Sequence, residues 1–239
     1  FVAAQVELNG HAGDGTSAFL RTVVNAKAVE KAVWRTTALG VYEAYVNGEP
    51  TEGFLKPGFT HVYKRRLETT ADVTKQWTCA AGATNVLSAL VSCGWWCDDL
   101  RGEKGANKGQ KRFFPTVPGF RAQLVVRYGD GSKERFGTGT DWVAAYSGPV
   151  IRAGIWEGEF YDARRTLGGW EPAKVDGEFT GEIRNFIGPT VVHREDLAMK
   201  PVAAYAWKGA VGASGTNAFG CVRKVRTFAA GEPLTVRPG

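Results

Sequence analysis

The chain has 239 residues, 44% of them hydrophobic and 23% charged, with a formal net charge of +6. That length suits one large all-β domain or two small ones, and the composition excludes a disordered chain. No apolar run approaches the ~20 residues that span a bilayer, so no transmembrane helix is expected.

The predicted elements are nearly all strands. Phe19–Val24, Lys31–Ala38 and Val41–Val46 are short runs rich in Val, Tyr, Trp, Thr and Phe. Asn47-Gly48 follows the third run and predicts a two-residue hairpin turn, because both residues tolerate positive φ. Trp34, Tyr42 and Tyr45 fall at strand period and are expected in the core or on a sheet face. Asp72–Trp77 is the one helical-looking turn, with Asp72 or Thr74 as its cap. Asn85–Ser92 is apolar at nearly every position, which predicts a central strand buried on both faces. Arg121–Tyr128, the turn Gly129-Asp130-Gly131-Ser132 and Lys133–Thr138 make a second hairpin. The fold class read from this pattern is all-β, an antiparallel, jelly-roll-like β-sandwich.

Residues 1–176 are assigned to that sandwich. A linker-like stretch follows Trp170. The strand-like runs over 177–239 either complete the sandwich or begin a second β-domain. The last run halts at Gly239 without a closing partner, so a longer parent chain is expected. The chain opens on Phe1 without a signal-peptide pattern, which leaves export undecided.

Basic residues are scattered. The densest cluster, Arg101 to Arg112, is broken by glycines and Glu103, and it reads as a solvated loop rather than a nucleic-acid surface. Four cysteines, Cys79, Cys93, Cys97 and Cys221, are too few for a disulfide scaffold at this length. The Cys93–Cys97 spacing fits neither a zinc knuckle nor a thioredoxin-type motif, so structural thiols are expected. His11, His61 and His193 stand far apart, without ligand spacing.

From "ALGVYEAYVNGEP" (Ala38–Pro50) onward the sequence resembles the N-terminal β-domain of bacterial α-L-rhamnosidases, glycoside hydrolase family 78. The resemblance runs through Pro57-Gly58-Phe59-Thr60, Lys64-Arg65 and Asp72-Val73-Thr74. "NVLSALVSCGWW" is similar to the family's apolar strand ending in Gly-Trp-Tyr. "AQLVVRYGDGS" and "TDWVAAYSGPV" resemble the next hairpin and its Asp-Trp strand. "WEGEFYDARRTLGGW" (Trp156–Trp170) resembles the family's Gly-Glu-x-Tyr-Asp-Ala-Arg element with its following Gly-Trp. Phe59 stands where Trp is usual, and His61-Val62 where Asp-Tyr is common.

The resemblance implies a domain that precedes a second β-domain and a catalytic (α/α)-barrel in the same parent chain. It also implies a rhamnose-containing glycan as the parent's substrate, and a periplasmic or extracellular location. In enzymes of this kind one carboxylic acid protonates the leaving oxygen while a second carboxylate activates water. No residue here is assigned to either role, and no cofactor is expected.

The candidate carbohydrate contacts are Trp95, Trp96, Asp98, Asp99, Glu157 and Glu159. In a pleated strand Trp95 and Trp96 point to opposite faces, so one is core and the other faces the Arg101–Gly119 loop. An exposed indole beside carboxylates suits the apolar face and hydroxyls of a pyranose, and it suits packing under that loop equally. Asp98 and Asp99 are also the residues to which calcium would go, although two adjacent carboxylates are too few to make a site. Asp162 and Arg164 are read as a structural pair tying down a turn. Three functions follow for comparison: a non-catalytic accessory domain, an autonomous carbohydrate-binding module, and an enzyme active in this fragment.

Overall fold

The computed structural model describes residues 1–5, 15–97, 117–146, 148–154, 158–177 and 179–198. Its contacts divide the chain into two units, Phe1–Val191 and Val192–Gly239. In the second unit the described residues hold a 3₁₀ turn, Glu195–Leu197, next to an Arg194–Asp196 ion pair.

The first unit is a two-sheet β-sandwich. In chain order its strands are β1 (Val2–Ala3), β2 (Ser17–Val24), β3 (Val29–Leu39), β4 (Val41–Val46) and β5 (Glu49–Pro50). They continue with β6 (Arg65–Asp72), β7 (Thr84–Ser92), β8 (Gly119–Tyr128), β9 (Lys133–Gly137) and β10 (Val143–Tyr146). The last five are β11 (Val150–Gly154), β12 (Gly158–Tyr161), β13 (Glu171–Pro172), β14 (Lys174–Val175) and β15 (Glu182–Asn185). One sheet runs β14-β1-β8-β3-β6-β15, with β9 sharing an edge of β8; the other runs β13-β10-β2-β7-β4-β5. β11 and β12 form a separate two-stranded sheet. The pairs are antiparallel except β6–β15, which is parallel in register from Arg65↔Glu182 to Glu68↔Asn185.

Local chemistry accounts for both predicted hairpins. Asn47 (φ 52°) and Gly48 (φ 83°) supply the two left-handed residues that turn β4 into β5 without splaying them. Asp130 accepts from the backbone N–H (3.0 Å) and hydroxyl (2.5 Å) of Ser132 to close the β8–β9 turn. After β6 the helical turn forms as expected, with Trp77 N–H donating to the Val73 carbonyl at 3.0 Å. Asp72 caps it through Thr74 N–H at 3.1 Å and Thr74 Oγ1 at 2.6 Å. Those bonds and Lys31 hold the Asp72 carboxyl down at about 2.

The core between the sheets centres on Phe120 of β8, which is fully buried. Around it lie Phe19 at 5.9 Å, Trp34 at 6.2 Å, Tyr42 at 5.8 Å and Trp142 at 5.7 Å between ring centroids. These rings come from five strands or their flanks, so one cluster ties both sheets together. Tyr42 is buried beside them, and its hydroxyl meets Thr36 Oγ1 at 2.8 Å and Thr69 Oγ1 at 2.7 Å. Burial nonetheless pushes that hydroxyl up to about 12.

Two expectations change. β7 is central in its sheet, but it alternates: Asn85, Leu87, Ala89 and Val91 are buried while Val86, Ser88 and Leu90 are half-buried. The Gly94-Trp95-Trp96-Cys97 segment is a helical turn and not the end of that strand. Gly94 (φ 47°) breaks the extended backbone, and N–H groups of Trp96 (2.9 Å) and Cys97 (3.3 Å) then donate to the Cys93 carbonyl.

Candidate functional site

A cleft of about 840 Å³ opens on the β6 side of the sandwich. Thr69–Asp72 of β6 form one wall and the 51–58 loop another, while Arg127, Phe186 and Val191 close the rim. The loop carries the Leu55-Lys56-Pro57-Gly58 stretch, with a cis Lys56–Pro57 bond. Main-chain bonds pin it: Thr51 N–H to the Ala44 carbonyl at 2.8 Å, and Tyr42 N–H to the Lys56 carbonyl and Phe54 N–H to the Val191 carbonyl, both at 2.9 Å.

Lys56 is the loop's internal peg. Its side chain is only 7% exposed and donates from Nζ to Thr51 Oγ1 at 2.7 Å and to the Glu52 carbonyl at 3.2 Å. The ammonium lies 5.4 Å from the centroid of the Tyr42 ring. Burial lowers it to about 8, with the Glu43 charge opposing the shift. Two carboxylates on the cleft rim are engaged: Asp72 pairs with Lys31 at 3.2 Å and Glu30 with Arg127 at 2.7 Å. The acidity of Asp72 is the reverse of what a glycosidase's proton donor requires.

Beside the same loop, Phe59 is 70% exposed and meets the half-buried Trp95 edge-on, with centroids 5.0 Å apart. Two segments separated by more than thirty residues therefore share one aromatic step. Trp96 turns the other way and is 1% exposed. The Arg66 guanidinium lies 4.5 Å above its ring and 5.3 Å from that of Phe179. In this conformation Trp96 packs against its neighbours and has no face open to a sugar. The opposite orientation of the two indoles survives, although a helical turn produces it.

Of the other candidates, Glu159 lies exposed on β12, while Asp98, Asp99 and Glu157 lie outside the described residues. Asp162 and Arg164 do pair: the guanidinium donates through Nε and Nη2 to the two carboxylate oxygens, each at 2.8 Å. Arg164 N–H adds a third bond at 3.1 Å, and together these hold the Asp162 carboxyl below its usual range. Among the described residues no three His, Cys, Asp or Glu side chains gather as metal ligands.

The family profile described as the alpha-L-rhamnosidase N-terminal domain matches residues 27–202. The chain belongs to the α-L-rhamnosidase N-terminal domain family. It is similar to an α-L-rhamnosidase of Streptomyces avermitilis, 41% identical over 151 residues that make up 63% of this chain and 14% of that one. Its fold is similar to the native α-L-rhamnosidase of Aspergillus terreus, with a TM-score of 0.68 at 24% identity over 79% of this chain and 22% of the other. A structure of the Streptomyces avermitilis α-L-rhamnosidase complexed with L-rhamnose matches at 35% identity and a TM-score of 0.54, covering 70% of this chain and 15% of that one. The chain spans 14–18% of the length of the curated relatives it matches. Pro57 and Gly58 of the family stretch line the cleft, while Phe59, next in sequence, packs against Trp95.

Proposed function

We propose that this rhamnosidase N-terminal domain is a non-catalytic accessory β-sandwich. In this reading it supports a catalytic (α/α)-barrel in the same parent chain and shapes access of rhamnose-containing glycans to it. The parent acts in the periplasm or outside the cell. The reading invokes no cofactor, and calcium at Asp98 and Asp99 is not needed for it.

The observation that carries the reading is the β11–β12 sheet. Two-stranded sheets are marginal alone in water, yet this one exposes Ile151 (37%), Phe160 (49%) and Tyr161 (61%). Phe160 and Tyr161 are neighbours on a strand and point to opposite sides, so each face of the small sheet carries a partly exposed ring. Trp170, at 38%, adds a further exposed ring in the family's Gly-Trp element. Apolar surface of this kind marks a protein interface, and the relatives have several times this chain's length with which to cover it. A second reading, an autonomous carbohydrate-binding module, draws support from the Phe59–Trp95 step beside the cleft.

The test separates the readings. The domain and the remainder of its parent, produced separately, are expected to co-elute, and Phe160→Asp with Tyr161→Asp to abolish co-elution. Titration calorimetry of the domain with L-rhamnose is expected to show no heat of binding. Millimolar or tighter binding, lost in Trp95→Ala, would favour the module. Release of p-nitrophenol from an aryl rhamnoside by the domain alone would overturn the non-catalytic reading.

A further inference from the structure

The helical turn brings together two thiols that the sequence spacing alone does not pair. Residues four apart on a helical turn share a face, and Cys97 N–H donates to the Cys93 carbonyl to close that turn. Their Sγ atoms lie 2.8 Å apart. That is closer than an ordinary non-bonded contact between sulfurs and within about 1 Å of the ~2.05 Å S–S bond. Both residues are buried, at 1% and 0% exposure, in a small cluster with Leu39 and Trp96.

A buried cation shares the folded surroundings of the pair. Arg66 is 4% exposed and stacked on Trp96, and among the described residues its Nε and Nη2 meet no hydrogen-bond partner. Burial lowers the guanidinium to about 10, and Cys97 is the charge that opposes this loss.

We propose that Cys93 and Cys97 form a dithiol–disulfide couple that closes in an oxidising compartment and fixes the turn bearing Trp95 and Trp96. The oxidant is a small disulfide of the glutathione class. The Cys97 thiolate attacks one sulfur of that disulfide, forming a mixed disulfide and releasing one thiolate, which takes up the proton lost by Cys97. The Cys93 sulfur then displaces the second thiol from Cys97, and its own proton leaves with that thiol. The chain loses two electrons and two protons, and the small disulfide is reduced to two thiols. Burial makes the native couple slow to exchange, so closure belongs to folding, when the turn is still open.

The test is refolding of the reduced full chain in a buffer of oxidised and reduced glutathione, followed by acid quench, alkylation of remaining thiols and peptide mapping by mass. The expected result is two alkylated cysteines of the four, Cys79 and Cys221, and a 93–97 peptide lacking two hydrogens. Refolding in reduced glutathione alone should leave all four alkylated. Four alkylated cysteines in the oxidising buffer, or a cross-link at Cys79 or Cys221, would overturn the proposal. Persistence of the two-hydrogen loss in Cys93→Ser or Cys97→Ser would do the same. The mapping reads the wild-type chain and stands even where those variants fail to fold.

Discussion

Replacing Gly94 by alanine tests how the family's Gly-Trp element works, because the structure separates two costs there. The first is conformational: at φ 47° an L side chain pays about 1–2 kcal/mol for a left-handed backbone. The second is steric. A Cβ on Gly94 would lie 2.8 Å from the Val41 nitrogen and 3.1 Å from the Gly40 carbonyl carbon. Main-chain atoms cannot swing aside as the end of a long side chain can, and overpacking of this kind costs a further ~1–3 kcal/mol. Gly94→Ala is therefore expected to lose about 3 kcal/mol. Gly48 isolates the first cost, since its φ is 83° and a Cβ there would meet nothing within 4 Å; Gly48→Ala should lose only about 1 kcal/mol. Gly129 is outside the left-handed region and equally open, so Gly129→Ala should stay within ~0.5 kcal/mol of wild type. Urea unfolding followed by the fluorescence of the chain's eight tryptophans reads all three. With a slope of about 2–3 kcal/mol per molar, Gly94→Ala should shift the midpoint down by about 1 M and Gly48→Ala by less than half of that. If Gly94→Ala fell no further than Gly48→Ala, the close approach of the turn to Val41 would be refuted.

Two further substitutions probe the core and the cleft loop. Phe120→Ala empties the centre of a cluster of four other rings, and should cost about 3–5 kcal/mol in the same urea assay. Lys56 has its folded pKa lowered to about 8 from 10.5, so between those values the unfolded chain still binds a proton that the folded chain has released. This site's contribution to stability is accordingly flat below pH 8 and rises with pH across that window; Lys56→Met should abolish that rise when midpoints at about pH 7 and about pH 10 are compared with wild type.

What the sequence made legible was local. Asn47-Gly48 and the Gly129–Ser132 turn specify their hairpins through their own backbone preferences, and Asp72 caps the turn after β6 through its own side chain. Pairings between distant strands left no such mark. Nothing in Val29–Leu39 names Gly119–Tyr128 as its neighbour, and the polar Glu182–Asn185 carries no signal of joining β6. Gly94-Trp95-Trp96 reads as strand in sequence because aromatic residues favour strands, whereas the positive φ of Gly94 turns the chain instead. Phe59 could not be linked to Trp95, since their contact depends on where two loops end rather than on either sequence. Within the Lys64-Arg65-Arg66 run, charge alone did not show that Arg66 is the buried member; its position on β6 does.

The residues that carry the family resemblance are, in this structure, mostly those that fix the backbone. Asp72 caps a turn, Gly94 lets one segment approach another, Asp162 holds Arg164 across a bend, and Lys56, next to the Pro57-Gly58 pair, pegs its loop from inside. None of these tasks leaves the side chain free to act on a substrate: the Lys56 ammonium is spent on Thr51 and Glu52, and the Asp162 carboxylate on Arg164. Among the motif side chains that face outward are the rings of Phe59, Phe160 and Tyr161, together with the charged Glu159 and Arg164. Carboxylates that brace turns, and rings that offer contact surface, are what the proposed accessory domain requires. It must hold a shape against a larger neighbour, while proton transfer needs groups left poised and unpaired. Activity of a parent carrying Asp162→Asn should therefore fall only as far as its folding does, whereas loss of Phe160 and Tyr161 should uncouple the domain with its own fold intact.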